Sequence, residues 1–312
     1  MRGGHVQTIV PARVLPTPPI GYRRERWDTP DGDFIDVDFV SPEPSANDAT
    51  TLVLFHGLEG DSRSHYARLL MHGCRRRAWR GMVVHFRGCS GEANRLPRAY
   101  HSGDSEEIDW ILRRVAARWP HAERLAVGVS LGGNALAKWA GERGNQAAGV
   151  LSACATVSAP FDLIAGGRAL DRRSNFVYAR MFLRTLRKKA IAKARRFPGL
   201  VDAHKVLASR SLYEFDDAFT APVHGFDSAL DYWTRASAKP LLAAIAVPTL
   251  TINARNDPIV PAASLPSSHE VSRLVRQESP EEGGHVGFFA DRQSADRWYL
   301  RQRIFDFFQK GA

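Results

Sequence analysis

Three short apolar runs constrain this chain more than any other feature. Thr51–Phe55, Met82–Phe86 and Leu125–Val129 each stop at a glycine-bearing turn: His56-Gly57, Arg87-Gly88 and Ser130-Leu131-Gly132. Helical segments separate them. Ser64–Trp79 lies between the first two. Before the third, Ile108, Ile111, Leu112, Val115 and Trp119 recur mostly at spacings of three and four, behind Asp104 and Glu107, which read as a capping box. A further helix, Leu131–Arg143, follows the third run and closes at Gly144-Asn145. Gly149–Val157 is another apolar run, ending at Ser158-Ala159-Pro160. Strand and helix alternating in this way predict a mostly parallel sheet covered on both faces, an α/β fold. Glu25–Asp28 and Phe34–Phe39 flank Pro30-Asp31-Gly32 and predict a hairpin at the sheet edge.

The alternation stops after Pro160. Residues 161–240 carry helical stretches and eleven aromatics: Phe161, Phe176, Tyr178, Phe182, Phe197, Tyr213, Phe215, Phe219, Phe226, Tyr232 and Trp233. Strand signals return at Pro248–Asn253 and Arg273–Gln277, and Ala295–Phe308 predicts a closing helix. The expected organisation is one discontinuous core, residues 1–160 and 241–312, interrupted by a helical cap over residues 161–240. The aromatics serve either as walls for an apolar substrate or as the cap's own core.

The third turn carries chemistry. Gly128-Val129-Ser130-Leu131-Gly132 is a G-x-S-x-G pentapeptide between a strand and a helix. Glycines flank the apex because a Cβ would clash there, and the serine sits where free N–H groups favour negative charge. A serine hydroxyl is a poor nucleophile at neutral pH and needs a base with a carboxylate to orient it. Two later segments supply these in the order Ser, Asp, His. Asp257, in Asn256-Asp257-Pro258, follows a strand; His285, in Gly283-Gly284-His285-Val286-Gly287, follows the last one. They are 28 residues apart, which leaves room for one helix and one strand. Taken alone, Asp257 reads as a turn or cap residue before Pro258, and His285 is one of eleven histidines. Their shared position at strand ends favours catalysis. The backbone N–H groups of Leu131 and of Leu58, in His56-Gly57-Leu58-Glu59-Gly60, are the expected oxyanion donors. His56 reads as a support for that loop.

Two other clusters imitate sites. Gly88-Cys89-Ser90-Gly91 also follows a strand, but residue 92 is Glu and not a fifth-position glycine, so it reads as a structural turn. His101, Asp104, Glu106 and Glu107 resemble metal ligands, yet a helix N-terminus accounts for the acids. No metal and no cofactor are expected.

Composition narrows the rest. No apolar stretch approaches the ~20 residues of a membrane-spanning helix; the longest are Ala147–Pro160 and Leu241–Ile252. Arg2 has no apolar signal core behind it. The three cysteines, Cys74, Cys89 and Cys154, lack metal-ligand spacing, so a reduced, cytoplasmic setting is expected. The formal net charge is +10. Residues 168–196 hold eleven Arg/Lys against one acid, Asp171, and so carry all of it. A local basic face argues against a general nucleic-acid binder. Within it Met181, Phe182, Leu186 and Ile191 alternate with cations. That pattern fits an ordinary amphipathic cap helix better than a module that binds anionic lipid or nucleic acid through this segment, with weak anionic membrane contact as its alternative use. Nothing in the pattern sets an oligomeric state.

Taken together these segments resemble the YheT-like branch of the α/β-hydrolase superfamily, bacterial hydrolases and esterases, over nearly the whole chain. The motifs are Gly4-His5-Val6-Gln7-Thr8, His56–Gly60, His85–Glu92, Tyr100-His101-Ser102-Gly103, the Ser130 turn, Val157–Phe161, Glu214–Asp217, His224-Gly225 and Gly284–Phe288. The resemblance implies an α/β-hydrolase fold, a triad of Ser130, Asp257 and His285, and hydrolysis of small-molecule carboxylic esters. Eukaryotic relatives act on lipid esters, including medium-chain acyl groups, and some transfer the acyl group to an alcohol. Relatives tend to carry two acids where this chain has Asn256-Asp257, and carry residues ahead of the Gly-His motif on which this sequence almost begins.

Overall fold

The computed structural model describes residues 3–289 and 299–309. Eight strands form one sheet in the order β1-β2-β4-β3-β5-β6-β7-β8. β1 (Gly21–Asp28) and β2 (Phe34–Ser41) are the expected edge hairpin, and β2 joins β4 (Arg80–Val84) antiparallel. From there β3 (Thr51–Phe55), β5 (Arg124–Val129), β6 (Ala153–Val157), β7 (Thr249–Ile252) and β8 (Val275–Glu278) run parallel.

The period-2 alternation of β3 divides the core. Val53 and Phe55 join one apolar cluster, and Leu52 and Leu54 join another on the opposite face. The first cluster is covered by α3 (Ser105–Arg118) and α4 (Leu131–Arg143) through Ile108, Ile111, Leu112, Leu136 and Trp139. The second is covered by α2 (His65–Arg76) through Leu70 and Met71, and by α11 (Tyr299–Gln309) through Ile304 and Phe305. Burying each such side chain contributes about 1.5–3 kcal/mol, so the two faces are strongly specified. The first four residues of the expected closing helix, 295–298, lie outside the described residues.

Between β6 and β7 the described chain is helical. It holds α5 (Leu163–Leu170), α6 (Phe176–Arg196), α7 (Ala203–Ala208), α8 (Leu212–Phe215), α9 (Ala221–His224) and α10 (Ala229–Ala236). These build a third apolar cluster around Leu170, Leu183, Phe215, Phe219, Tyr232 and Trp233. The N-terminal residues form α1 (Gly4–Arg13).

Three local expectations change. Asp104 makes no capping hydrogen bond to α3. Its carboxylate accepts from Arg98 at 2.6 Å, and Glu107 accepts from Arg87 at 2.6 Å. Partners from the preceding loop outbid the helix's own N–H groups because a buried carboxylate gains more from a guanidinium. β4 starts two residues earlier than the apolar run, at Arg80, which is buried with its guanidinium on Thr51 and the Ala46 and Ala49 carbonyls. Between Asp257 and His285 there is β8 but only a three-residue 3-10 turn, Ala262–Ser264, in place of a helix.

Candidate active site

The parallel strands deliver the three expected side chains to one end of the sheet. Ser130 stands between β5 and α4 with φ 52° and ψ −118°. That left-handed conformation costs a non-glycine residue about 1–3 kcal/mol. The surroundings enforce it: the Ser130 N–H donates to the Val157 carbonyl at 2.8 Å, and its own carbonyl accepts from Gly133 and Asn134. A Cβ on Gly132 would lie 2.5 Å from the Phe55 carbonyl oxygen and 2.6 Å from that of His56. Only glycine lets the turn seat against β3.

Asp257 is buried just past β7. Its Oδ1 accepts the N–H groups of Ile259 at 2.7 Å and Val260 at 3.1 Å, and its Oδ2 lies 2.8 Å from His285 Nδ1. The turn-forming role read from Asn-Asp-Pro and the partnership with His285 thus belong to different oxygens of one carboxylate. His285 Nε2 lies 2.9 Å from Ser130 Oγ. A carboxylate only accepts, so Nδ1 carries the ring proton and Nε2 accepts from the serine hydroxyl. Such a chain can remove the hydroxyl proton as Oγ attacks.

Leu58 and Leu131 border the same cavity as Ser130 and His285. Neither N–H has an acceptor among the described residues, whereas the neighbours of Leu58 do. The Gly57 N–H donates to Tyr66 Oη and the Glu59 N–H to Tyr100 Oη, both at 2.9 Å. Two tyrosines therefore occupy the flanking donors and leave the middle one open. Tyr100 O–H in turn donates to Glu59 Oε1 at 2.8 Å. His56 is buried beneath, accepting the Phe86 N–H on Nε2 and contacting the Gly57 carbonyl at 2.7 Å. Burial pushes its pKa down to about 3, so it stays neutral and structural.

A second support comes from α1, which neither apolar periodicity nor turn spacing marks as part of the site. Thr8 Oγ1 accepts the His285 N–H at 2.8 Å and donates to the Gly4 carbonyl at 2.7 Å. Gln7 Oε1 accepts the Phe289 N–H at 3.2 Å. Asn256 Oδ1 accepts the N–H groups of Gly283 and Gly284, and its Nδ2 donates to Glu282 at 2.6 Å. An aspartate at 256 would lack that donor, so the Asn tethers the His285 loop to the Asp257 loop. The only sequence signal for the clamp was the Gly4–Thr8 motif, which periodicity and spacing could not interpret.

The cavity above Ser130 measures about 420 Å³, within the usual range for small-molecule sites, about 300–1,000 Å³. Phe182, Leu186, Phe215, Phe219, Tyr232 and Trp233 wall it from the helical segment. Several of these also sit in the third apolar cluster, so the two roles considered for the aromatics coincide. Asp216 borders the cavity and accepts from Thr220 and Trp233, and burial raises its pKa to about 6. Burial pushes the Cys89 thiol up to about 12, which makes it a poor nucleophile. The His101 ring lies tilted against His224, with centroids 4.5 Å apart, and burial pushes its pKa down to about 3. Among the described residues no group of three or more His, Cys, Asp or Glu could hold a metal ion.

The profile of the alpha/beta hydrolase fold family matches residues 50–291. The chain is 38% identical over 304 residues to "Putative esterase YheT" of Escherichia coli (strain K12), covering 97% of this chain and 89% of that one. It is 30% identical over 292 residues to Phospholipase ABHD3 of Homo sapiens, covering 91% and 71%. In structure it resembles mouse alpha/beta hydrolase domain-containing protein 10, with a TM-score of 0.58 at 14% identity, covering 93% of this chain and all of that one; this likeness concerns the fold alone.

Proposed function

This chain belongs to the α/β-hydrolase-fold family, among relatives of esterase and lipase type, and we propose that it is a serine carboxylesterase acting on esters with an apolar acyl group. The carrying observation is the unbroken Asp257–His285–Ser130 hydrogen-bond chain, 2.8 Å and 2.9 Å, opening on an aromatic-walled cavity. In this reading His285 takes the Ser130 proton as Oγ attacks the ester carbonyl. The Leu58 and Leu131 N–H groups hold the oxyanion, each contributing on the order of 3 kcal/mol to the transition state. His285 then protonates the departing alcohol, leaving an acyl-serine. Water, deprotonated by the same imidazole, attacks that acyl group; Ser130 regains its proton and the carboxylic acid departs.

The helical segment, residues 161–240, acts as the cap that supplies the acyl wall. Short- to medium-chain and lipid-like esters are the substrates that such a wall suits. The names of the relatives point the same way: one is an esterase and one a phospholipase.

The test is fluorophosphonate labelling of wild type and Ser130→Ala, with hydrolysis of p-nitrophenyl esters of graded chain length. Wild type takes the label and cleaves the esters; Ser130→Ala does neither. Equal labelling of the variant refutes the nucleophile, and no hydrolysis at any length by a folded protein refutes the esterase reading. Repeating the assay with added alcohol separates hydrolysis from acyl transfer by the same residues.

A further inference from the structure

The helix α6 has two working faces. Its inner face, with Phe182, Leu186 and Lys189, looks into the cavity above Ser130. Lys189 is also tied at 2.7 Å to Glu59, beside the open Leu58 N–H. Its outer face lines a separate open groove of about 890 Å³, which contains none of the site residues. Arg180, Arg184, Arg187, Lys188 and Arg195 of α6 border that groove, with Arg210 on its far side.

These cations differ from the paired arginines at the other end of the sheet and beside it. Arg24, Arg26 and Arg87 each meet a carboxylate at 2.6–2.9 Å. None of the six groove cations has a carboxylate within ion-pair distance among the described residues. Arg187 Nε is buried with no hydrogen-bond partner at all. So much unpaired charge on one helix face opposes itself, and such a face is stabilised when it meets an anionic partner.

The same surface exposes large apolar side chains. Phe176 is 60% exposed, Val177 56% and Met181 41% on α6, and Leu207 is 56% exposed on α7. α1 lies alongside, through the stacking of His5 on Tyr178 and the contact of Arg13 with Met181, and it adds Val6 and Ile9 at 43% and 44%. Most of the exposed large apolar residues described in this chain fall on these three helices or just after α1.

We propose that this face docks on an anionic lipid bilayer. Apolar side chains interleaved with arginines match the head-group boundary, where the former leave water and the latter meet lipid phosphates. A nucleic acid would use the cations but offers no apolar layer for Val177, Met181 and Leu207. A second copy of this chain would bring like charges together. No described helix is long and apolar enough to cross a membrane. Docked in this way, the chain presents its catalytic cavity on the far side of the helix that touches the lipid, one helix diameter away.

Sedimentation with phosphatidylglycerol-containing phosphatidylcholine vesicles tests this on the full chain. Wild type pellets at low salt, is released at high salt, and stays in solution with pure phosphatidylcholine. Arg180→Glu/Arg184→Glu lowers vesicle partition by more than about tenfold. Val177→Ser/Met181→Ser lowers it by about fivefold or more at unchanged charge. Both variants keep wild-type circular dichroism and wild-type turnover of a soluble p-nitrophenyl ester, so docking and esterase activity are read separately. Absence of pelleting with anionic vesicles at low salt overturns the proposal. So does wild-type partition of either variant, or retention by a duplex oligonucleotide or self-association in place of vesicle binding.

Discussion

Replacing Asp257 by asparagine separates the two jobs of one carboxylate. Oδ1 accepts the Ile259 and Val260 N–H groups, and Oδ2 faces His285 Nδ1. In Asp257→Asn the side-chain oxygen keeps the two backbone bonds. The new NH₂ group faces Nδ1, which must then accept, so the ring proton moves to Nε2. That atom lies 2.9 Å from Ser130 Oγ, and a protonated Nε2 cannot take the serine proton. The wrong tautomer costs a factor of about 10⁴ in kcat, or about 5–6 kcal/mol in activation free energy. Stability stays close to wild type. Asp257→Ala, by contrast, leaves two N–H groups without acceptors at roughly 1–3 kcal/mol each, so it loses both activity and stability. Steady-state hydrolysis of a p-nitrophenyl ester and urea unfolding read the two effects. A kcat for Asp257→Asn within about tenfold of wild type would refute Asp257 as the orienting carboxylate. Equal destabilisation by Asn and Ala would refute the division of labour between the two oxygens.

Other perturbations probe the supports. Thr8→Val keeps the side-chain shape but leaves the His285 N–H without its acceptor, at about 1–3 kcal/mol; kcat falls about tenfold with KM nearly unchanged, and Thr8→Ser restores it. An unchanged kcat assigns α1 to folding alone. Gly132→Ala drives a Cβ into the Phe55 and His56 carbonyl oxygens and lowers unfolding stability by about 2 kcal/mol or more, measured in urea. Asp216→Asn tests the cavity carboxyl. Its folded pKa is raised by burial to about 6, from 3.8, so the folded state holds the extra proton between those values. The stability it contributes is therefore fully present below pH 3.8 and lost as pH rises through about 6. The neutral Asn variant gains on wild type across that window by up to about 3 kcal/mol, discounted for the partial exposure of the side chain. A difference in urea midpoint that is flat with pH contradicts the raised pKa.

Most of the frame is legible without coordinates because it rests on short-range physics. The boundaries of Thr51–Phe55 and Leu131–Arg143 coincide with β3 and α4, where strand alternation and a glycine stop leave no competing register. Ser130, Asp257 and His285 are recognisable because each sits at a strand end with turn residues around it, and the fold brings them into one hydrogen-bond chain. Local rules fail where a distant partner wins. Asp104 and Glu107 have capping-box spacing, yet Arg98 and Arg87 take their carboxylates.

What the sequence determined by itself is the layered α/β frame and which three side chains stand at the strand ends that the fold joins in one hydrogen-bond chain, since apolar periodicity and turn chemistry act over a few residues. Only the tertiary structure decided how those groups are held. Thr8 meets His285 across 277 residues, Tyr100 meets the Glu59 N–H across 41, and Lys189 reaches Glu59 across 130. A hydrogen bond is directional and needs its partners within about 3 Å. Nothing local encodes which distant donor will arrive there; the packed sheet and the helix above it make that choice.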